Sequence, residues 1–142
     1  MIRTLTALAL MLAFTATAQA YDLHAKSQST LTGAQDLATL VKSIGDQVGQ
    51  NIPQSDQIQV WVISQARQRE GGDEFLYNHR VELRKLLNGR NQPPYPTAGW
   101  YVIYTSETYG IGSEQRTRVE LERVIRNFFE HLKGLDPKTE AP

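Results

Sequence analysis

The sequence predicts an α+β domain, a two-layer sandwich in which two helices cover one face of a three-stranded antiparallel sheet (α-β-β-β-α). Two segments, residues 37–48 and 121–132, carry apolar side chains at helical spacing. Between them, two runs rich in β-branched and aromatic residues flank Gly71-Gly72, which is a strong hairpin signal. A third such run covers Trp100 to Ser106. Because a sheet with one apolar face must bury it, the two amphipathic helices are expected on that face.

The first twenty residues are expected to be a cleaved signal peptide. Arg3 supplies a positive start, residues 5–14 form an apolar run, and Ala18 and Ala20 are small residues of the kind that signal peptidase accepts. The apolar run is far shorter than the roughly 20 residues that a membrane span requires. Export with cleavage after Ala20 is therefore favoured over an N-terminal membrane anchor.

The remaining chain is long enough for one domain. Removing residues 1–20 from the 142 leaves 122 residues, which can bury well over half of their unfolded surface. Residues 21–30 are polar and lack periodicity, so they are expected to be a flexible leader. A single α+β domain is expected over residues 31–134, followed by a disordered tail over residues 135–142.

A first helix is expected to begin at a capping box made by Thr32 and Gln35. Gly49 and Pro53 are expected to end it, because glycine tolerates the left-handed conformation and proline blocks continuation. One apolar stripe gives the helix a buried side: Leu37, Leu40, Val41, Ile44 and Val48.

The hairpin register follows if Gly71 and Gly72 are the two central turn residues, both free to take positive φ. That register places Val60 opposite Leu83 and Ser64 opposite His79. It separates a largely apolar face from a largely polar one, whereas a slip of one residue would destroy the separation. The end of the second strand, residues 83–87, is equally compatible with a helical turn.

The third strand, Trp100 to Ser106, carries bulky residues on both faces and is expected to be well covered. Residues 108–112 are expected to form a loop, and Ser113 to cap the second helix. Lys133-Gly134 should end that helix. Its apolar stripe consists of Leu121, Val124, Ile125, Phe128 and Leu132.

Composition excludes several classes of function. The chain has 15 Lys and Arg against 15 Asp and Glu, so no broad basic surface for nucleic acid or an anionic membrane is expected. The absence of cysteine excludes disulfides, thiol chemistry and a lipid-modified cysteine, so no membrane anchor should remain after cleavage.

Exported domains without disulfides are typical of the bacterial periplasm, with release to the medium as the alternative. His24, His79 and His131 lack metal-ligand spacing, so neither a metal nor a cofactor is expected.

Two local constellations are candidates for chemistry. Ser64 beside His79 could be a nucleophile and its base, but no carboxylate adjoins the histidine and the flanking residues look like core, which favours a structural hydrogen-bonded pair. The Gly110-Ile111-Gly112-Ser113 stretch precedes a helix and could bind an anion, with Arg116 assisting. It lacks the lysine of a phosphate-binding loop, so an ordinary turn and helix cap is the favoured interpretation.

The polar side of the hairpin is the most promising interaction surface, because aromatic, aliphatic and arginine side chains on an open sheet are typical of interfaces. The hairpin register gathers on it Trp61, Ile63, Arg67, Leu76, Arg80, Glu82 and Arg84.

The sequence therefore favours an exported accessory or binding protein of the bacterial envelope over an enzyme. Its partner would be an unidentified envelope protein or a second copy of the chain, and an inhibitor of another exported protein would use the same surface. The alternative is a small periplasmic hydrolase or an anion- or ligand-binding protein, built on Ser64 and His79 or on the Gly110–Ser113 turn.

Overall fold

The computed structural model describes residues 21–50, 52, 55–87 and 99–134. Their strands form one mixed sheet in the order β1-β2-β3-β4, and both helices pack on the same face of it, so the α+β class is confirmed. The sheet has four strands rather than the three expected. The elements are β1 (Asp22–Ser29), α1 (Ala34–Val48), β2 (Ile58–Gln68), β3 (Phe75–Leu87), β4 (Gly99–Gly112) and α2 (Glu114–Leu132).

The central hairpin has the expected register. β2 and β3 are antiparallel, with Val60 opposite Leu83 and Ser64 opposite His79. β3 continues to Leu87, so residues 83–87 are strand and not a helical turn. The alternation of apolar and polar side chains along the two strands is sufficient to define this pairing, because a shifted register would bury arginines in the core.

The turn of the hairpin differs from the expected one. Of the two turn glycines, only Gly71 has a positive φ, of 74°, so the expectation that Gly72 shares this conformation is wrong. The Gly72 amide donates to the Arg69 carbonyl at 3.4 Å, and the Arg69 amide donates to the Glu74 carbonyl at 2.8 Å. The loop is therefore longer than two residues, yet it preserves the register because it is symmetric about Gly71-Gly72.

The expected leader contains the additional strand. Residues 22–29 form β1, which pairs in parallel with β2 from Asp22–Gln59 to Ser29–Ala66. Alternate side chains, Leu23 and Ala25, pack against the core, while the intervening polar side chains point to the other face. Because pairing with a distant strand and contacts with the core order this largely polar segment, no local pattern indicates it.

β4 extends through the segment that was expected to be a loop, residues 108–112. Its glycines make room for side chains on the helix-covered face. A Cβ on Gly110 would lie 2.7 Å from the Tyr77 hydroxyl oxygen, and a Cβ on Gly112 would lie 2.6 Å from Arg116 Cδ. These glycines therefore permit close packing within a strand instead of marking a loop.

A bulge changes the facing of β4. The pairing shifts between Leu83, which is opposite Tyr104, and Arg84, which is opposite Val102. The extra residue puts Tyr104 on the helix-covered face and Val102 on the other. Val102 is 48% exposed and Trp100 is 38% exposed, so the expectation that both faces of this strand are covered is wrong.

Of the helix ends expected from the sequence, only the start of α1 differs in the structure. The N-cap of α1 is Gly33, with no side-chain hydrogen bond, so the Thr32–Gln35 capping box is wrong. Gly49 ends α1 with a φ of 75°, as expected. Ser113 caps α2, its hydroxyl oxygen accepting from the Arg116 amide at 3.2 Å, which is also as expected. The core between the layers includes Leu37, Val41, Ile44, Val60, Val62, Val81, Leu83, Leu121, Ile125, Phe128 and Phe129.

Candidate functional site

One face of the sheet is turned away from both helices, and we call it the open face. In the part of the chain that the structure describes, no helix packs on it. Because side chains alternate along each strand, it collects one residue in two from all four strands. Its members are Asp22, His24, Lys26 and Gln28 of β1; Gln59, Trp61, Ile63, Gln65 and Arg67 of β2; Leu76, Asn78, Arg80, Glu82, Arg84 and Leu86 of β3; and Trp100, Val102, Thr105, Glu107, Tyr109 and Ile111 of β4.

The structure brings together on the open face all seven residues that the hairpin register predicts for the interaction surface. It adds a set that the sequence analysis missed, on β4. Across the described residues, five of the six exposed large hydrophobic side chains lie on this face, and the sixth, Val119, lies on α2. The five are Leu76 (47% exposed), Trp100 (38%), Val102 (48%), Tyr109 (80%) and Ile111 (45%).

The sequence does not place Tyr109 and Ile111 on this face, because it predicts a loop over residues 108–112. One signal could have revealed it: from residue 109 to 112 the sequence alternates a large apolar side chain with glycine. Such alternation is typical of a strand with one crowded and one open face.

Trp61 is held in place by its neighbours on the adjacent strands. The ring of His24 on β1 stacks on the Trp61 ring, with the two centroids 4.5 Å apart. The guanidinium of Arg84 on β3 lies 4.3 Å from the centroid of the Trp61 ring. The indole N–H donates to the side-chain oxygen of Gln59 at 2.8 Å. These contacts fix a half-buried aromatic ring beside an arginine, a combination common at the energetic centre of interfaces.

Glu82 supports the arginines of the open face. It is 4% exposed, and its two carboxylate oxygens lie 2.9 Å from Arg80 Nε and 2.7 Å from Arg84 Nε. Since one buried carboxylate serves two guanidinium groups, the cluster keeps a net positive charge. Although the sequence analysis named Glu82 as part of the surface, its burial leaves little of it for a partner to touch.

The Ser64–His79 pair lies in the core, and each residue is 1% exposed. The Ser64 hydroxyl lies 3.0 Å from His79 Nδ1, and His79 Nε2 lies 3.1 Å from the Thr117 carbonyl oxygen. Because that carbonyl can only accept, Nε2 carries the proton and Nδ1 accepts from the serine. Burial lowers the pKa of His79 below its ordinary value. Both ring nitrogens are occupied and no substrate can reach them, so this pair is structural.

The candidate anion site is only partly assembled. Gly112, Ser113 and Arg116 lie together at the start of α2, but Gly110 is a strand residue facing Tyr77. The Ser113 hydroxyl already accepts a hydrogen bond from the Arg116 amide. The aliphatic part of the Arg116 side chain lies against Gly112. Anion binding at this position stays a prediction.

Searches for other kinds of site give negative results. Within the described residues, no three His, Cys, Asp or Glu side chains are grouped as a metal site. None of the described helices is both long enough and apolar enough to cross a membrane. Comparison with protein-family models, curated proteins and solved structures finds no match. The function proposed below therefore depends on the geometry of the open face.

Proposed function

We propose that this protein is an exported accessory or binding protein of the bacterial envelope that acts by protein–protein contact through the open face. The observation that carries the proposal is the gathering of exposed apolar side chains on one sheet face that no described helix covers. They form two groups, Trp100 with Val102 and Leu76 with Tyr109 and Ile111, and the rows of Thr105 and Glu107 lie between the groups. Exposed apolar groups rimmed by polar residues are typical of interaction sites. The partner is another envelope protein or a second copy of this chain.

The composition of the face supports a macromolecular partner. It combines aliphatic side chains with tryptophan, tyrosine and arginine, and the last three supply most of the binding energy in interfaces. Trp61 and Arg84 are already fixed against each other, so a partner would not bear the full entropic cost of ordering them.

Export is part of the proposal and is supported by the pattern of residues 1–20. Cleavage after Ala20 would make Tyr21 the first residue of the exported chain. Tyr21 is 6% exposed, with its ring centroid 6.2 Å from that of Phe129. Cleavage at this position would therefore leave every described element, including this core residue, in the exported protein. The periplasm is the proposed location, with release to the medium as the alternative.

A hydrolase using Ser64 and His79 is not proposed, because that pair is sealed in the core. Ligand or anion binding stays an alternative, at the start of α2 or on the open face itself, and an inhibitor of another exported enzyme would also use the open face.

The proposal is tested with two matched substitutions. Val102→Asp puts a charge on the open face, and Val119→Asp makes the same change on α2, where the residue is similarly exposed (48% and 54%). The full chain, tagged at its carboxyl end, is expressed in the native cell and captured from envelope extract. We expect a partner to be retained by wild type and Val119→Asp and lost with Val102→Asp.

A further variant tests another part of the same face. Trp61→Ala keeps both arginine partners of the buried Glu82, so it should leave folding nearly intact, as thermal unfolding would verify, and should also lose the partner. Equal recovery of the partner by all four proteins would contradict a role for the open face. Recovery of uncleaved chain in the cytoplasm would contradict export, whereas an amino terminus at Tyr21 would support it.

A further inference from the structure

At the end nearest the hairpin turn, the open face carries a shallow groove of about 680 Å³ that is largely open to solvent. This volume lies within the range of roughly 300–1,000 Å³ that is usual for ligand sites. Two rows of side chains, each running across the strands, line the groove. One row is Arg67, Leu76 and Ile111, which are opposite one another on β2, β3 and β4.

The second row is made of amides and a tyrosine. Gln28, Gln65, Asn78 and Tyr109 are opposite one another on β1 to β4. The Gln65 amide donates to the Gln28 side-chain oxygen at 2.6 Å, which leaves other donors and acceptors of this row free. Asn78 makes no side-chain hydrogen bond to any described residue, and Tyr109 is 80% exposed. The row therefore presents both donors and acceptors beside an apolar row, as an extended peptide backbone requires.

The length of the groove fits a short peptide. From Arg67 on β2 to Ile111 on β4 there are two inter-strand spacings of about 4.8 Å, or about 10 Å in all. An extended chain rises about 3.3 Å per residue, so about three residues would span this row. The two rows are two residues apart along each strand, which corresponds to about 7 Å and admits a single extended chain between them.

One charge in the groove has no counter-ion. Arg67 forms no ion pair or hydrogen bond with any described residue, whereas Arg80 and Arg84 on the same face share Glu82. Arg67 lies at the β1–β2 end of its row, and the rest of that row is apolar. Guanidinium groups bind carboxylates through two parallel hydrogen bonds, so an apolar ligand that ends in a carboxylate is complementary to this row.

We propose that the groove binds the last three residues of an extended peptide, with its terminal carboxylate on Arg67 and its apolar side chains on Leu76 and Ile111. This names the class of partner for the proposed function and rests on it. The amide row holds the peptide backbone, while the exposed Tyr109 ring covers the end of the peptide nearest β4. A free carboxyl terminus is favoured over an internal acidic residue because a single cation stands at one end of the groove.

The test uses an acetylated pentapeptide, Ala-Val-Ala-Leu-Leu, with a free carboxyl terminus, titrated into the purified protein and followed by NMR chemical shifts. We expect saturable shifts confined to the groove, at Gln65, Leu76 and Tyr109. The carboxyl-terminal amide of the same peptide should bind at least about tenfold more weakly, because a charge-assisted hydrogen-bonded pair is lost.

Two arginine variants assign that difference to one side chain. Arg67→Gln should bring the carboxylate and amide peptides to nearly equal affinity. Arg69→Gln makes the same change two residues away, on an arginine paired with Glu74 outside the groove, and should keep the tenfold preference. Loss of the preference in both variants, or in neither, would overturn the assignment to Arg67.

Each remaining outcome identifies which idea fails. An amidated peptide ending in aspartate that binds as tightly as the free carboxylate would overturn the terminal carboxylate as the source. If tri-N-acetylchitotriose shifts the groove and no peptide does, the groove binds a sugar and the proposal is wrong. If no probe binds while Val102→Asp still loses its captured partner, the groove proposal fails and the proposed function stands. If the carboxylate peptide binds but capture is unaffected by open-face variants, the proposed protein contact fails instead.

Discussion

The buried Ser64–His79 pair makes the stability of the protein depend on pH. Burial lowers the pKa of His79 in the folded protein below its unfolded value of 6.5, and this effect outweighs the opposing influences of the Thr117 carbonyl and the Glu120 carboxylate. Protonation at Nδ1 would also remove the acceptor that the Ser64 hydroxyl uses. Folding therefore favours the neutral ring.

The sign of the dependence follows from proton uptake. Below pH 6.5 the unfolded chain binds a proton at this histidine more readily than the folded chain, so the stabilisation is fully present above pH 6.5 and is lost as the pH falls. The limiting slope is about 1.4 kcal/mol per pH unit. If the His79 ring stays neutral in the folded protein, the fall in pH from 6.5 to 5.5 lowers the free energy of unfolding by about 1 kcal/mol.

Urea unfolding at pH 7.5, 6.5 and 5.5 measures this loss, with the double variant Ser64→Ala/His79→Phe as the reference. Replacing both partners avoids leaving one polar group buried and unsatisfied. His24 and His131 are present in both proteins, so their contributions cancel. We expect the wild type to lose more free energy of unfolding than the variant over that interval, with about 1 kcal/mol as the upper limit. Parallel pH profiles would refute the interpretation of His79 as a sealed, neutral core residue.

Two further predictions concern the core. Phe128 is fully buried between the rings of Tyr104 and Phe129, so Phe128→Ala should lower the free energy of unfolding by about 3–5 kcal/mol in urea titrations. A loss below about 1 kcal/mol would contradict that packing. Burial, with a contribution from Asp46, raises the pKa of Tyr21 to about 12. The stabilisation is therefore present below pH 10 and lost as the pH rises towards 12, by up to about 3 kcal/mol, and Tyr21→Phe should abolish this alkaline loss. An unchanged alkaline loss in the variant would show that Tyr21 is not its source.

The sequence was most informative where local chemistry and side-chain pattern agree. The register of β2 with β3 could be derived because a glycine turn and the alternation of apolar residues require the same pairing. The start of α2 was equally clear, since Ser113 is both a favourable cap and the last residue before an apolar stripe.

The elements that were missed depend on contacts between distant parts of the chain. β1 is polar on one side and carries mostly small residues on the other, and its pairing with β2 joins residues 37 positions apart. No turn signal accompanies a parallel pair, because its connection passes through a helix. Gly110 and Gly112 resemble loop residues until Tyr77 and Arg116 are placed over them.

The candidate site was half predictable for the same reason. The hairpin register alone places Trp61, Arg67 and Arg80 on one face, and no tertiary structure is needed to derive it. The apolar β4 residues that complete this face required the bulge beside Val102, which shifts the alternation by one position and has no signature in the sequence.

The most direct test of the open face is site-specific photo-crosslinking in the native cell. A photoreactive phenylalanine analogue replaces Tyr109, which is 80% exposed on the open face, and in a second strain it replaces Val119, which is 54% exposed on α2. We expect a discrete crosslinked adduct from position 109 and none from position 119. Adducts of equal yield at both positions, or none at position 109, would contradict the assignment of the open face as the surface through which this protein acts.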